Sequence, residues 1–265
     1  MPRVLLLLPT TTYRTKAFIE AGLNLGVDIV AASELASTLA PSSPSNIIRL
    51  DLFNPQRAAE QAAEFAASHP IDAVIPVDED TAVAAAWIAR ALNLSHNSVE
   101  AASTAKNKFL MREALRGAGL PVPRYWHFSV DDDIAEVARR ITYPDVVKPV
   151  FLSTSRGVMR ANDETEFVQS VKRLSAILDK PKVARKGGLF GREALAEEFI
   201  PGFEVALEGL LTKGKLRVLA LFDKPDPLDG PFFEETIYVT PSRLPLNLQE
   251  AIAESAEAAA LAIGL

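Results

Sequence analysis

Tyr143-Pro144-Asp145-Val146-Val147-Lys148-Pro149 is an apolar run that closes on a lysine and is bracketed by two prolines. It reads as a buried strand that delivers an ammonium group at its end. Shortly after it comes Ser153-Thr154-Ser155-Arg156-Gly157, where small side chains let backbone N–H groups approach phosphate oxygens. Further on stands Glu197-Glu198-Phe199-Ile200-Pro201-Gly202-Phe203-Glu204. A short exposed backbone run of this kind can pair with adenine, and a carboxylate such as Glu204 can accept hydrogen bonds from ribose hydroxyls. In this order the three stretches describe a nucleotide site, with phosphates at Lys148 and the Ser153 to Gly157 loop and the nucleoside at the later segment.

Working outward, residues 1–102 alternate strand and helix. Val4 to Leu8 is a first strand, Arg14 to Leu25 a helix stopped by Gly26, and Val27 to Ala31 a second strand. Asn46 to Leu50, Pro55 to Ser68, Ile71 to Ile75 and Thr81 to Leu92 repeat the pattern. The fold class is therefore α/β, with a small doubly wound parallel-sheet domain in front. Its first strand-to-helix turn contains no glycine, so the dinucleotide fingerprint is missing. From Ala101 a helix running through Lys106, Lys108 and Arg112 to about Gly117 leads to Pro121-Val122-Pro123, which forces extended backbone. Strands near Arg124 to Phe128, Asp145 to Lys148 and Val158 to Ala161, with helices at Asp131 to Arg140 and Glu164 to Leu178, make an α+β region. Lys180 to Arg192, basic and glycine-rich, reads as a loop. Phe203 to Leu211, Leu216 to Asp223 and Phe232 to Thr240 read as three meandering antiparallel strands, and Asn247 to Ile263 as a last helix closed by Gly264.

These stretches, with Lys106-Asn107-Lys108 opening a helix before them, resemble the ATP-grasp superfamily of carboxylate–amine ligases, including biotin carboxylase and carbamoyl phosphate synthetase. The resemblance implies a pre-ATP-grasp domain over residues 1–102, an N-terminal lobe with its lid over 103–198, and an incomplete C-terminal lobe over 199–265. It implies ATP and Mg²⁺ as cofactors, and small-molecule carboxylate and amine substrates joined through an acyl phosphate. Residue by residue, Lys108 and Lys148 look like the phosphate-contacting lysines, and Ser153, Ser155 and Gly157 like parts of the lid. Glu197, Glu198, Phe199 and Ile200 look like the adenine-binding hinge, with Glu197 turned to the pocket, and Glu204 like the ribose-binding carboxylate. Lys224, in a proline-rich loop, is a candidate for the terminal phosphate. Glu234 and Glu235 are the candidate metal ligands. The strand and the Glu-x-Asn motif that complete the family's metal site are not found before Leu265. The expectation is a chain that binds nucleotide but does not turn over alone, its open sheet covered by a second copy or a partner chain. The alternative is a non-catalytic nucleotide-binding or interaction module.

The remaining signals exclude more than they propose. A net charge of −6 gives no support to a nucleic-acid or anionic-membrane partner, and Val4 to Leu8 is too short for a signal segment or a membrane span. With no cysteine there is no disulfide, thiolate nucleophile or thiolate metal site, which fits a cytoplasmic protein. His69, His96 and His127 match no metal spacing. Trp87 and Trp126 read as packing residues. Thr10 to Arg14 with Asp78 to Asp80 is a candidate substrate cluster in the front domain.

Overall fold

The computed structural model describes residues 1–35, 46–234 and 236–265. Two compact units, Met1–Lys106 and Asn107–Leu265, make up the chain.

In the first unit, β1 (Arg3–Leu7), β2 (Asp28–Ser33), β3 (Ile47–Arg49) and β4 (Ala73–Pro76) form a parallel sheet ordered β3-β2-β1-β4. Successive side chains of a strand point to opposite faces, so the central β1 feeds two cores at once. Leu5 and Leu7 pack with Ala58, Ala59, Ala62 and Ile88 from α2 (Pro55–Ala66) and α3 (Ala82–Ala91). Val4 and Leu6 pack with Phe18 and Ile19 of α1 (Thr15–Leu25) on the other face. Helices on both faces are what a parallel sheet needs to keep its apolar strands from water. The fourth helix, α4 (Val99–Lys106), packs on α3 through Val99, Ala102 and Ala86.

The second unit holds a four-stranded antiparallel sheet, ordered β5-β8-β6-β7, from β5 (Tyr125–Ser129), β6 (Asp145–Pro149), β7 (Met159–Ala161) and β8 (Glu193–Glu198). One face is covered by α6 (Ile134–Arg140) and α7 (Glu164–Leu178). There Phe167, Val171 and Leu174 meet Val147 and Ala196 in the main core of the unit. A two-stranded antiparallel sheet follows, β9 (Glu204–Thr212) with β10 (Lys215–Lys224). Lys213 and Gly214 at its turn both have positive φ, 51° and 75°, the hairpin geometry whose twist matches the strands. The last helix, α9 (Leu246–Ala262), packs across this hairpin, and its Glu257 accepts a hydrogen bond from Leu216 N at 2.6 Å.

Three expectations change. The helix expected from Ala101 to Gly117 is two, α4 and α5 (Lys108–Gly117). Asn107 leaves the helical conformation, and its Oδ1 accepts from Phe109 N and Leu110 N, capping α5. The loop expected over Lys180 to Arg192 contains α8 (Pro181–Gly187) and a short 3₁₀ turn, because Pro181 starts a helix well and Val183 anchors it in the core. The third antiparallel strand, Phe232 to Thr240, does not form among the described residues. Only isolated bridges tie Phe232 to Met159 and Val239 to Asp223, so the alternation of apolar residues there reflects local contacts and no ladder.

Candidate nucleotide site

The sheet geometry decides which way each candidate points. On β6, Val146 and Lys148 share a face, and their neighbours on β8, Glu197 and Leu195, lie on that same face. Lys148 Nζ donates to Glu197 Oε2 at 2.6 Å. Glu197 is buried, and Arg112 from α5 grips it from the other side, Nε to Oε1 at 2.9 Å and Nη2 to Oε2 at 3.2 Å. Burial alone would push this carboxyl up, but the Lys148 ammonium and the Arg112 guanidinium outweigh it and hold the group below the usual carboxylate range. Glu197 lines the cleft with its oxygens engaged by two cations. Glu198, on the opposite face, pairs with Arg124 at 3.1 Å.

Lys108 reaches the same place by a different route. The capped first turn of α5 is pinned to the exit of β6 by Lys108 N donating to Val150 O at 2.9 Å, and Lys108 Nζ donates to Leu152 O. Residues four apart lie on one helix face, so Lys108 and Arg112 are presented together. Sequence reasoning passed over Arg112. Its signal was the i, i+4 spacing from Lys108, which becomes meaningful only once the helix start is known.

The loop after β6 turns through left-handed backbone, with positive φ at Thr154 (57°), Ser155 (51°) and Gly157 (77°). A Cβ on Gly157 would lie 2.8 Å from Leu174 Cδ1, so glycine is required there by both conformation and space. At the far side, Lys224 is buried and paired with Glu204, its partner in the β9–β10 register, and lies 5.7 Å from the Tyr238 ring. The proposed phosphate lysine and ribose carboxylate are thus neutralising each other.

Lys108, Lys148, Ser153, Ser155, the segment Glu197 to Glu204 and Lys224 line one cleft of about 570 Å³, a volume suited to a small ligand. Gly157 lies just outside its wall, beside Thr154, Ser155 and Val158, in an adjoining cleft. Glu234 is exposed and lines that neighbouring cleft with Phe233 and Arg156. Glu235 lies outside the described residues. Among the described residues no group of three His, Cys, Asp or Glu side chains could hold a metal ion. In the front unit, the Thr10 hydroxyl and backbone donate to Glu34, and Asp80 pairs with Lys106 at 3.0 Å.

Comparison with known proteins identifies the family. A model of the ATP-grasp domain matches residues 141–265, and one of the ATP-grasp N-terminal domain matches residues 19–96. The chain belongs to the ATP-grasp superfamily. Alanine–anticapsin ligase of Bacillus subtilis (strain 168) is 26% identical over 222 residues, 79% of this chain and 46% of that protein. A D-alanine–D-alanine ligase of Aromatoleum aromaticum is 30% identical over 170 residues, 63% of this chain and 51% of that protein. The crystal structure of an L-amino acid ligase from Bacillus licheniformis superposes with a TM-score of 0.83 at 26% identity, covering 100% of this chain and 62% of that one. This ATP-grasp chain spans about half the length of the curated relatives it matches. None of its described helices is long and apolar enough to cross a membrane.

Proposed function

We propose that this ATP-grasp chain binds ATP in the Lys108–Lys148 cleft and is the nucleotide-holding part of an ATP-dependent carboxylate–amine ligase. The observation that carries the reading is convergence. Lysines from α5 and β6, separated in sequence by a whole strand and helix, line one cleft with the small-residue loop and the Glu197 to Glu204 segment. Such convergence is what a polyanion with a nucleoside at one end requires.

In this reading Lys108 and Lys148 neutralise phosphate oxygens, the Ser153 to Ser155 backbone covers them, and the chain leaving β8 borders the base. Glu204 would exchange its bond to Lys224 for the ribose hydroxyls, freeing the Lys224 ammonium toward the phosphates. The ligase chemistry follows the relatives. A substrate carboxylate attacks the γ-phosphorus, ADP leaves, and an amine then displaces phosphate from the acyl phosphate. The lysines and the volume of the cleft support ATP; among the described residues no group of three ligating side chains stands ready for magnesium, which beside a nucleotide takes one or two carboxylates and the phosphates themselves. A second reading is a nucleotide-binding module that leaves catalysis to residues outside those described, and the placement of Glu234 in the neighbouring cleft favours it.

One experiment separates these outcomes. ATP and ADP should each raise the melting temperature of the 265-residue chain while NAD does not, and ADP formation with Mg²⁺-ATP and a panel of amino acids should stay at background. A shift with NAD and none with ATP would overturn nucleotide binding at this cleft. Amino-acid-dependent ADP formation would overturn the second reading.

A further inference from the structure

A second cleft, of about 600 Å³, lies at the β5 side of the β5-β8-β6 layer, lined by Trp126 and Asp145 from one face and by Tyr125 and Glu197 from the other. Its floor is set by strand parity. Trp126, Ala196 and Val147 stand opposite one another across β5, β8 and β6, and Asp145 stands opposite Glu198 on the same face. Ala196 is small, so a gap remains between Trp126 and the end of β6.

Two features of this cleft call for a ligand. Asp145 is 1% exposed, and neither carboxyl oxygen has a hydrogen-bond partner, although its neighbour Glu198 is satisfied by Arg124. A buried carboxyl without a donor is costly, and native folds seldom keep one without a reason. Burial pushes its pKa up to about 7. Trp126, expected to be a packing residue, is 43% exposed and lines the cleft. At the rim, Arg124 and Arg140 are held by Glu198 and Glu136 yet keep further N–H donors, since a guanidinium carries five.

We propose that this cleft binds a zwitterionic amino compound of the amino-acid type, its ammonium over Trp126 donating to Asp145 and its carboxylate at the Arg124 and Arg140 rim. The ammonium supplies the donor that Asp145 lacks and meets the negative face of the indole. The carboxylate meets guanidinium groups whose planar donors match it. The cleft shares Pro123, Glu197 and Glu198 with the nucleotide cleft, whereas Asp145, Trp126, Arg124 and Arg140 line this cleft alone, so these four carry the proposal apart from ATP binding.

The test uses the full chain with Trp87→Phe, which leaves Trp126 as its single tryptophan, and reads its fluorescence without nucleotide. L-alanine and L-phenylalanine are titrated to about 10 mM, where a site of about 1 mM affinity would be nearly full. N-acetyl-L-alanine and n-propylamine serve as comparisons. A saturable change with the amino acids is expected, at least tenfold weaker for N-acetyl-L-alanine and at least tenfold weaker after Asp145→Asn. Arg124→Gln, at an exposed position, carries the test if Asp145→Asn does not fold, and should weaken the amino acids but not n-propylamine. No saturable change, or equal binding by the N-acetylated compound, or amino-acid affinity untouched by Asp145→Asn or by Arg124→Gln, would overturn the proposal.

Discussion

Lys148 and Glu197 face one another from adjacent strands at 2.6 Å, and Arg112 closes on the same carboxylate from a helix. The triad converts a flexible ammonium into a directed one, since Lys148 can reach a ligand only from the position that Glu197 allows. Lys148→Ala should weaken ATP binding by about 2 to 5 kcal/mol, the usual cost of removing one partner of a desolvated charge pair. Isothermal titration checks it, and an unchanged isotherm would take Lys148 out of the site.

Glu197→Ala should cost more in stability than Lys148→Ala. Removing the shared carboxylate leaves Lys148 and Arg112 as partly buried like charges without their counter-ion, a loss of up to about 3 to 5 kcal/mol. Removing Lys148 leaves Glu197 still paired with Arg112. Urea denaturation of the two variants decides the order, and a smaller loss for Glu197→Ala would show that the triad is not a structural unit.

Nucleotide at about a hundredfold its dissociation constant should stabilise the fold by roughly 2.7 kcal/mol. For a chain of this size the melting temperature should rise by about 5 to 10 °C. Differential scanning fluorimetry with ATP, ADP and NAD reads it directly.

Asp145 gives the fold a pH dependence of definite sign. Its pKa rises from 3.8 to about 7 on folding, so the folded state holds a proton that the unfolded state has lost between those values. Stability from this group is fully present below pH 3.8 and declines as pH rises through about 7, at roughly 1.4 kcal/mol per pH unit. Asp145→Asn cannot ionise, so its stability relative to wild type should grow between pH 5 and 7 and level off above. A constant difference across that range in urea melts would mean that the carboxyl has found a partner.

Gly157→Ala should destabilise the second unit by about 2 kcal/mol, combining positive φ with a methyl forced against Leu174 in the core. Gly26→Ala, also at positive φ but with nothing within 4 Å, isolates the conformational part of that cost. Equal losses in the two variants would remove the packing contribution.

The sequence by itself determined the elements and the candidate residues. Val4 to Leu8, Asp145 to Pro149 and Glu164 to Leu178 are legible because local periodicity and their punctuating residues state them directly, and Lys148, Glu197 and Glu204 stand out through the order of their motifs. Tertiary structure alone decided what those side chains do. Glu197 is silent about Arg112, 85 positions away, until α5 folds against the sheet. Glu204 and Lys224 do not announce their pairing until the β9–β10 register aligns them. Asp145 looks like a polar interruption in an apolar strand, and only the antiparallel neighbours leave it buried without a donor. Phe232 to Thr240 shows the limit from the other side. Its alternation suggests a strand, but strand formation needs a neighbouring edge to receive its hydrogen bonds, and that is a property of the assembled sheet.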